Sequence, residues 1–210
     1  MQKKYLFTII YLLLLLAGCN KPLELPANYT VTIEQLRIEK DISMRDSETS
    51  PFNVDTTIEF SKLKYFPVNQ KFVFESKLYE YDNKEEITIF GTKGEARKVL
   101  KFGYVVFNYD GKEHKINVYL GKSKDGTEYH SIWFTDLTTG KETYKVGRYL
   151  DFEYSSDKSK KYLIDFNLAY NPYCAYSPIY SCAIPSKEDF IDIAITAGEK
   201  IFESKPAENN

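Results

Sequence analysis

Apolar residues alternate with polar ones along most of this chain, and that spacing predicts β-structure. Lys71–Tyr79 is the clearest case, with Phe72, Phe74, Ser76 and Leu78 on one face. The same reading predicts strands over Phe60–Phe66 (stopped by Pro67), Glu86–Phe90, Lys98–Tyr109, Glu113–Leu120, Tyr129–Thr135, Arg148–Tyr154, Lys161–Phe166 and Phe190–Thr196. Asp110-Gly111 between two alternating runs is a strong hairpin signal. Beyond it, His114, Ile116, Val118 and Leu120 share a face. Helical spacing appears once in the mature chain. Thr32-Ile-Glu-Gln35 matches a capping box, and Ile33, Leu36, Lys40 and Met44 follow, predicting a helix over Ile33–Arg45 with a thin apolar stripe lying on a sheet edge. The expected fold is mainly β: a single antiparallel β-barrel or sandwich-like domain with an N-terminal helix.

The first eighteen residues break this pattern. Lys3 and Lys4 precede an apolar run, Tyr5–Leu16, that is short for a bilayer span, and Leu16-Ala17-Gly18-Cys19 follows. This arrangement resembles the bacterial lipoprotein lipobox, in which the cysteine is acylated and the chain is cut just before it. A plain secretory signal with a chance cysteine is the alternative. The expected organisation is a lipoprotein signal peptide over 1–18, a lipidated tether over 19–30, one β-rich domain over 31–203, and a disordered tail over 204–210. Cys19 is the expected lipidation site, and several acyl chains hold a protein to a membrane stably where one does not. The expected location is the bacterial cell envelope, lipid-anchored, with the domain periplasmic or surface-exposed. Asn20 after the cysteine gives a mild preference for the outer membrane.

Composition sharpens this in three ways. The 18 Tyr and 14 Phe favour half-buried pleated surfaces. Removing Lys3 and Lys4 takes the formal charge from −2 to −4, and no basic cluster exists, so a nucleic-acid partner is not expected. Once Cys19 is set aside, Cys174 and Cys182 remain as an even pair in an oxidising compartment. A disulfide is the expected state, contributing roughly 2.5 kcal/mol for so short a loop. Metal binding and free thiols are the competing readings. No CxxC spacing is present, and His114 and His130 are distant in sequence, so neither a metal nor a cofactor is expected.

Several segments together resemble one family. They are Arg37-Ile-Glu-Lys40-Asp41, Ser50-Pro51, Thr135-Asp-Leu-Thr-Thr-Gly140, Tyr144, Gly147-Arg148-Tyr149-Leu-Asp151, Asp165-Phe-Asn167, Ala169-Tyr170-Asn171-Pro172-Tyr-Cys174-Ala-Tyr176, Cys182 and Ala197-Gly198-Glu199-Lys200. The resemblance is to domain of unknown function 1684 and runs from about residue 33 to 201. After the second cysteine the family reads as a proline-rich stretch followed by Asn. Here it is Ala183-Ile-Pro185-Ser-Lys-Glu-Asp189, so nothing that Asn does carries over. The family name implies no reaction.

The chemistry-bearing residues cluster late in the chain. Trp133, Arg148, Tyr149, Asp165, Asn167, Tyr170 and Asn171 form the candidate ligand site, beneath a loop closed by Cys174 and Cys182. Arg148 offers a planar fork for a carboxylate or phosphate, the rings offer stacking, and the Asn side chains offer donor and acceptor. Each has a structural alternative: Arg148 pairing with Asp165 across strands, the Asn residues holding the loop, the Tyr residues filling core. The expected function is binding a small ligand or an envelope protein. The alternatives are a hydrolase in the same cleft, with His130–Asp136 or Asp151–Asp165 as its groups, or a structural interaction module. No GxSxG, HExxH, P-loop or GxGxxG pattern is present.

Overall fold

The computed structural model describes residues 23–123, 125–203 and 205–206. The signal-like segment, the lipobox-like stretch and Cys19 lie outside them. Among the described residues no helix is long and apolar enough to cross a membrane.

The described residues open with helix α1, Tyr29–Asp46, and a short turn of helix α2, Pro51–Val54. Ten strands follow: β1 Ile58–Glu59, β2 Val73–Lys77, β3 Tyr79–Phe90, β4 Ala96–Tyr109, β5 Lys112–Lys122, β6 Glu128–Asp136, β7 Arg148–Asp151, β8 Lys161–Asp165, β9 Phe190–Ile191 and β10 Lys205–Pro206. The main sheet runs β3-β4-β5-β6-β7 antiparallel, with β9 added parallel to β6. β2 and β8 pair in a second, separate sheet. The sheets do not close into a barrel, and they pack as a sandwich. β10 pairs with β1 by its backbone, within the tail expected to be disordered.

The core lies between the two sheets. Phe72 and Ile164 from the small sheet's side meet Val105, Phe107, Ile116, Val118, Ile132 and Phe134 from the large one, with Phe166 at the centre. Phe74 and Leu78 pack against this cluster from the partly buried edge, so the alternating face of Lys71–Tyr79 is the inward one. The β4–β5 hairpin turns at Asp110 and Gly111, both with positive φ (48° and 78°), the geometry whose twist matches the flanking strands. β4 bulges between Lys101 and Gly103, and a Cβ added at Gly103 would meet the Tyr79 carbonyl oxygen at 2.6 Å.

Three expectations are corrected. Helix α1 starts a turn earlier than the capping box indicates. Thr32 lies inside it, with its hydroxyl donating to the Asn28 carbonyl, and Gln35 donates to Glu39 instead of reaching back. The buried face is Tyr29, Ile33, Arg37, Asp41 and Met44, while Leu36 is exposed. The tertiary contact that overrides local propensity is Tyr29, whose hydroxyl donates to Asp165 at 2.7 Å across the domain. Phe60–Phe66 is not a strand; its backbone meets the irregular C-terminal segment at Tyr65–Glu199 and Phe66–Gly198. The Phe190–Thr196 strand stops at Ile191, because Ile193 N–H turns back to the Ile191 carbonyl and Asp136 takes the Ile195 N–H.

Candidate functional site

The outer face of the main sheet carries a row of aromatic rings. Alternation along β6 sends Ile132 and Phe134 into the core and Tyr129, Ser131 and Trp133 to the opposite face. Trp133 sits opposite Tyr149 in register, and Tyr149 exchanges both backbone hydrogen bonds with Tyr170, at 2.9 and 3.0 Å. Rings on neighbouring strands are therefore forced together. Tyr119 stacks on Trp133 at 4.9 Å, Trp133 lies 5.9 Å from Tyr149, and Tyr149 meets Tyr170 edge-on at 6.0 Å. Lys40 ends the row, with its Nζ 4.9 Å above the Tyr170 ring.

A cavity of about 830 Å³ lies over this row. Its floor is Trp133, Tyr149 and Tyr170. Its walls are Glu39, Lys40, Ser43 and Met44 of α1, Arg97 of β4, Tyr129, and the segment carrying Asn171, Tyr173, Tyr180 and Cys182. Burial pushes the hydroxyls of Tyr149 and Tyr170 above their ordinary values, for Tyr170 with help from the Asp151 charge, so both stay protonated donors. Tyr149 donates to the Ala183 carbonyl and Tyr170 to Asp151 at 2.7 Å. The cations are occupied: Lys40 pairs with Glu199 at 2.8 Å, and Arg97 with Glu95 and the Ser181 carbonyl. Asn171 is 1 % exposed and donates to Glu199 and Lys200, while its Oδ1 has no partner among the described residues. A buried acceptor left unpaired carries a desolvation cost that a donor would relieve.

Of the seven residues proposed from the sequence, Trp133, Tyr149, Tyr170 and Asn171 line this cavity, and Arg148, Asp165 and Asn167 do not. Arg148 is 1 % exposed and stacks on Phe134. It donates to Asp136 and the Ile195 carbonyl, both at 2.9 Å, and to the Ala197 and Glu199 carbonyls. Its ion-pair partner is thus Asp136, not Asp165. Asp165 accepts from Tyr29 and from Asn167, and Asn167 also holds both backbone groups of Asn69. The seven belong to three places: four line the cavity, Arg148 joins Asp136 and the C-terminal segment, and Asp165 and Asn167 join Tyr29 and Asn69. Arg148 parts from its neighbour Tyr149 because adjacent strand positions face opposite sides.

The sequence reading missed Arg97, Tyr129 and Lys40. Tyr129 was legible, since it shares the period-two face of Ser131 and Trp133. Arg97 and Lys40 reach the cavity only through tertiary packing.

Neither hydrolase arrangement forms. His130 stacks on Tyr154 at 4.6 Å and meets the Phe102 edge, while Asp136 is committed to Arg148 and Thr138. Asp151 and Asp165 serve separate partners, Tyr170 and Tyr29. No metal-ligand cluster exists among the described residues.

Cys174 and Cys182 are free thiols, so the expected disulfide is not formed. They adjoin each other instead. Cys182 Sγ accepts the Cys174 backbone N–H at 3.1 Å, and the Tyr144 hydroxyl lies 3.7 Å from Cys174 Sγ. A hydrogen bond from Cys182 lowers the Cys174 thiol to about 7, while that same bond and burial push Cys182 up.

The family model described as Protein of unknown function (DUF1684) matches residues 58–200. The chain belongs to this family. Helix α1 precedes the matched span, and the aromatic row lies within it. A solution NMR structure of an uncharacterized protein of Haloarcula marismortui is similar, at 27% identity and a TM-score of 0.59, over 82% of this chain and 94% of that one. No curated protein matches.

Proposed function

We propose that this DUF1684 protein binds a small, ring-bearing molecule with a hydrogen-bond donor in the aromatic cavity. The observation that carries this is the row Trp133–Tyr149–Tyr170 beneath about 830 Å³ of space. That volume suits a small-molecule site, since such pockets span roughly 300–1,000 Å³ and combine apolar walls with a few polar groups. Flat rings stack on a planar or sugar ligand, Asp151 and the Asn171 Oδ1 accept from it, and the occupied Lys40 and Arg97 hold the rim. Binding is favoured over hydrolysis because the rings and acceptors converge, whereas the acid–base pairs offered by the sequence are dispersed.

The lipobox-like Cys19 adds the second half of the reading: a lipid-anchored envelope protein that presents this cavity near a membrane. Incorporation of labelled palmitate, lost in Cys19→Ser, is the expected sign, and an unlabelled wild type overturns it.

Native mass spectrometry of the purified protein, paired with emission of its single Trp, tests the binding reading. The expected results are a small molecule travelling with the protein, its loss in Tyr170→Ala with an unchanged circular dichroism spectrum, and a Trp133 response to that molecule. A bare protein whose Trp133 emission ignores aromatic amines, nucleosides and sugars alike rejects the reading.

A further inference from the structure

We propose that Cys174 and Cys182 are a reversible dithiol–disulfide pair that sets the shape of the cavity's rim. The segment they bracket supplies Tyr180, Ser181 and Cys182 to the cavity wall, with Tyr173 just before Cys174, so a bond between the sulfurs acts on that wall directly. Tyr173 and Tyr180 pack edge-on at 5.2 Å, an aromatic contact between the residue before Cys174 and one near Cys182. The two cysteines are already neighbours: the Cys174 backbone N–H donates to Cys182 Sγ at 3.1 Å, and the two thiols hydrogen-bond to each other. Nothing in the site so far described uses them.

Their surroundings divide the roles. Cys174 is half-buried, while Cys182 is 9% exposed. The Tyr144 hydroxyl beside Cys174 Sγ stabilises a thiolate there. Cys174 is therefore the attacking thiol and Cys182 the resolving one. The oxidant is a disulfide, either a small thiol's or that of a thiol oxidoreductase. Cys174 thiolate attacks one of its sulfurs, the oxidant's S–S bond breaks, and the first thiolate leaves and takes a proton. Cys182 gives its proton to solvent and attacks the Cys174 sulfur, expelling the second thiol. Two protein thiols are oxidised to one disulfide, and one external disulfide is reduced to two thiols. A dithiol reductant runs the sequence backward.

The bond draws the two sulfurs to covalent distance, where in the reduced pair Cys182 Sγ accepts the Cys174 backbone N–H. It therefore shifts Cys182 relative to Trp133, which shares the cavity with it. This inference concerns the cavity wall itself and does not depend on which molecule fills it.

The experiment uses the full chain carrying Cys19→Ser, equilibrated across ratios of reduced to oxidised glutathione. Thiols are trapped with a maleimide and weighed, and Trp133 emission is read in parallel. The expected result is that both thiols become unreactive together with loss of two hydrogens, that Trp133 emission shifts along the same curve, and that a dithiol reverses both. Cys182→Ser keeps an oxygen acceptor for Cys174 N–H and is expected to stop at a glutathione adduct on Cys174. Two thiols that alkylate independently at every ratio overturn the proposal. So does a bond that forms with Trp133 emission unchanged, or a Cys182→Ser variant whose Cys174 takes no glutathione.

Discussion

Arg148 and Asp136 form an ion pair at 2.9 Å with side chains 1% and 0% exposed. Such a pair gains little over an apolar substitute, but breaking it leaves an uncompensated charge. Here the pair also organises backbone. Arg148 holds the carbonyls of Ile195, Ala197 and Glu199, and Asp136 takes the Ile195 N–H, so the C-terminal segment is sewn to β6 and β7 by two side chains.

Arg148→Met should therefore lower unfolding stability by about 3–5 kcal/mol in urea titration. Arg148→Lys should recover only part of this, because one ammonium cannot reach the acceptors that a planar fork spans. Ligand binding is not the property this residue controls. A variant that folds at wild-type stability yet loses a cavity ligand would contradict the assignment.

Gly147 directs the chain into β7 with φ 119°, and an added Cβ would meet the Phe134 carbonyl oxygen at 2.6 Å. Gly147→Ala is expected to cost on the order of 1–3 kcal/mol from backbone strain alone. The shift should also weaken the Tyr149 side of the cavity, visible as a changed Trp133 spectrum.

Most of the β-structure was legible in the sequence, and the reason is local. Along β4, β5 and β6 the inward positions are Val105, Phe107, Ile116, Val118, Ile132 and Phe134, and period two finds them without tertiary knowledge. The Asp110-Gly111 turn is equally local. What was not legible depends on distant partners. The start of α1 is set by Tyr29 reaching Asp165, and the end of the predicted Phe190–Thr196 strand by Asp136 taking a backbone group that a neighbouring strand would otherwise hold. The candidate site divided for the same cause: residues close in sequence and alike in chemistry, such as Arg148 and Tyr149, face opposite sides of one strand.

Acid should weaken the fold through His130. Burial lowers its imidazole pKa, outweighing the raising influence of Glu128 and Glu80. A folded-state value below the unfolded one means that the unfolded chain takes the proton first. The contribution is then fully present above about 6.5 and is lost as pH falls toward the folded value. His114, lowered by burial and by Lys112, acts in the same direction. His130→Phe should keep the stacking against Tyr154 and remove part of the pH dependence below 6.5. Urea midpoints of wild type and variant that run parallel from pH 7 to 5 would defeat this account.

Oxidation of Cys174 and Cys182 should stabilise the domain as well as reshape its rim. Closing so short a loop constrains the unfolded chain by about 2.5 kcal/mol in the entropic picture. The native loop is already fixed by other bonds: Tyr144 to the Cys174 carbonyl, Lys93 to Ile179, Arg97 to Ser181, and Thr92 N–H to the Cys182 carbonyl. These bonds already order the loop in the reduced protein, so the gain in stability should come from the unfolded state, while the native change stays local to Cys182 at the rim. The urea midpoint should rise on oxidation and the dependence on urea should flatten, since a cross-linked unfolded chain exposes less surface. Cys174→Ser should show neither change. If oxidation instead lowers the midpoint, the sulfurs can join only by straining the bonds at Tyr144 and Thr92, and the reduced pair is the state for which the loop is built.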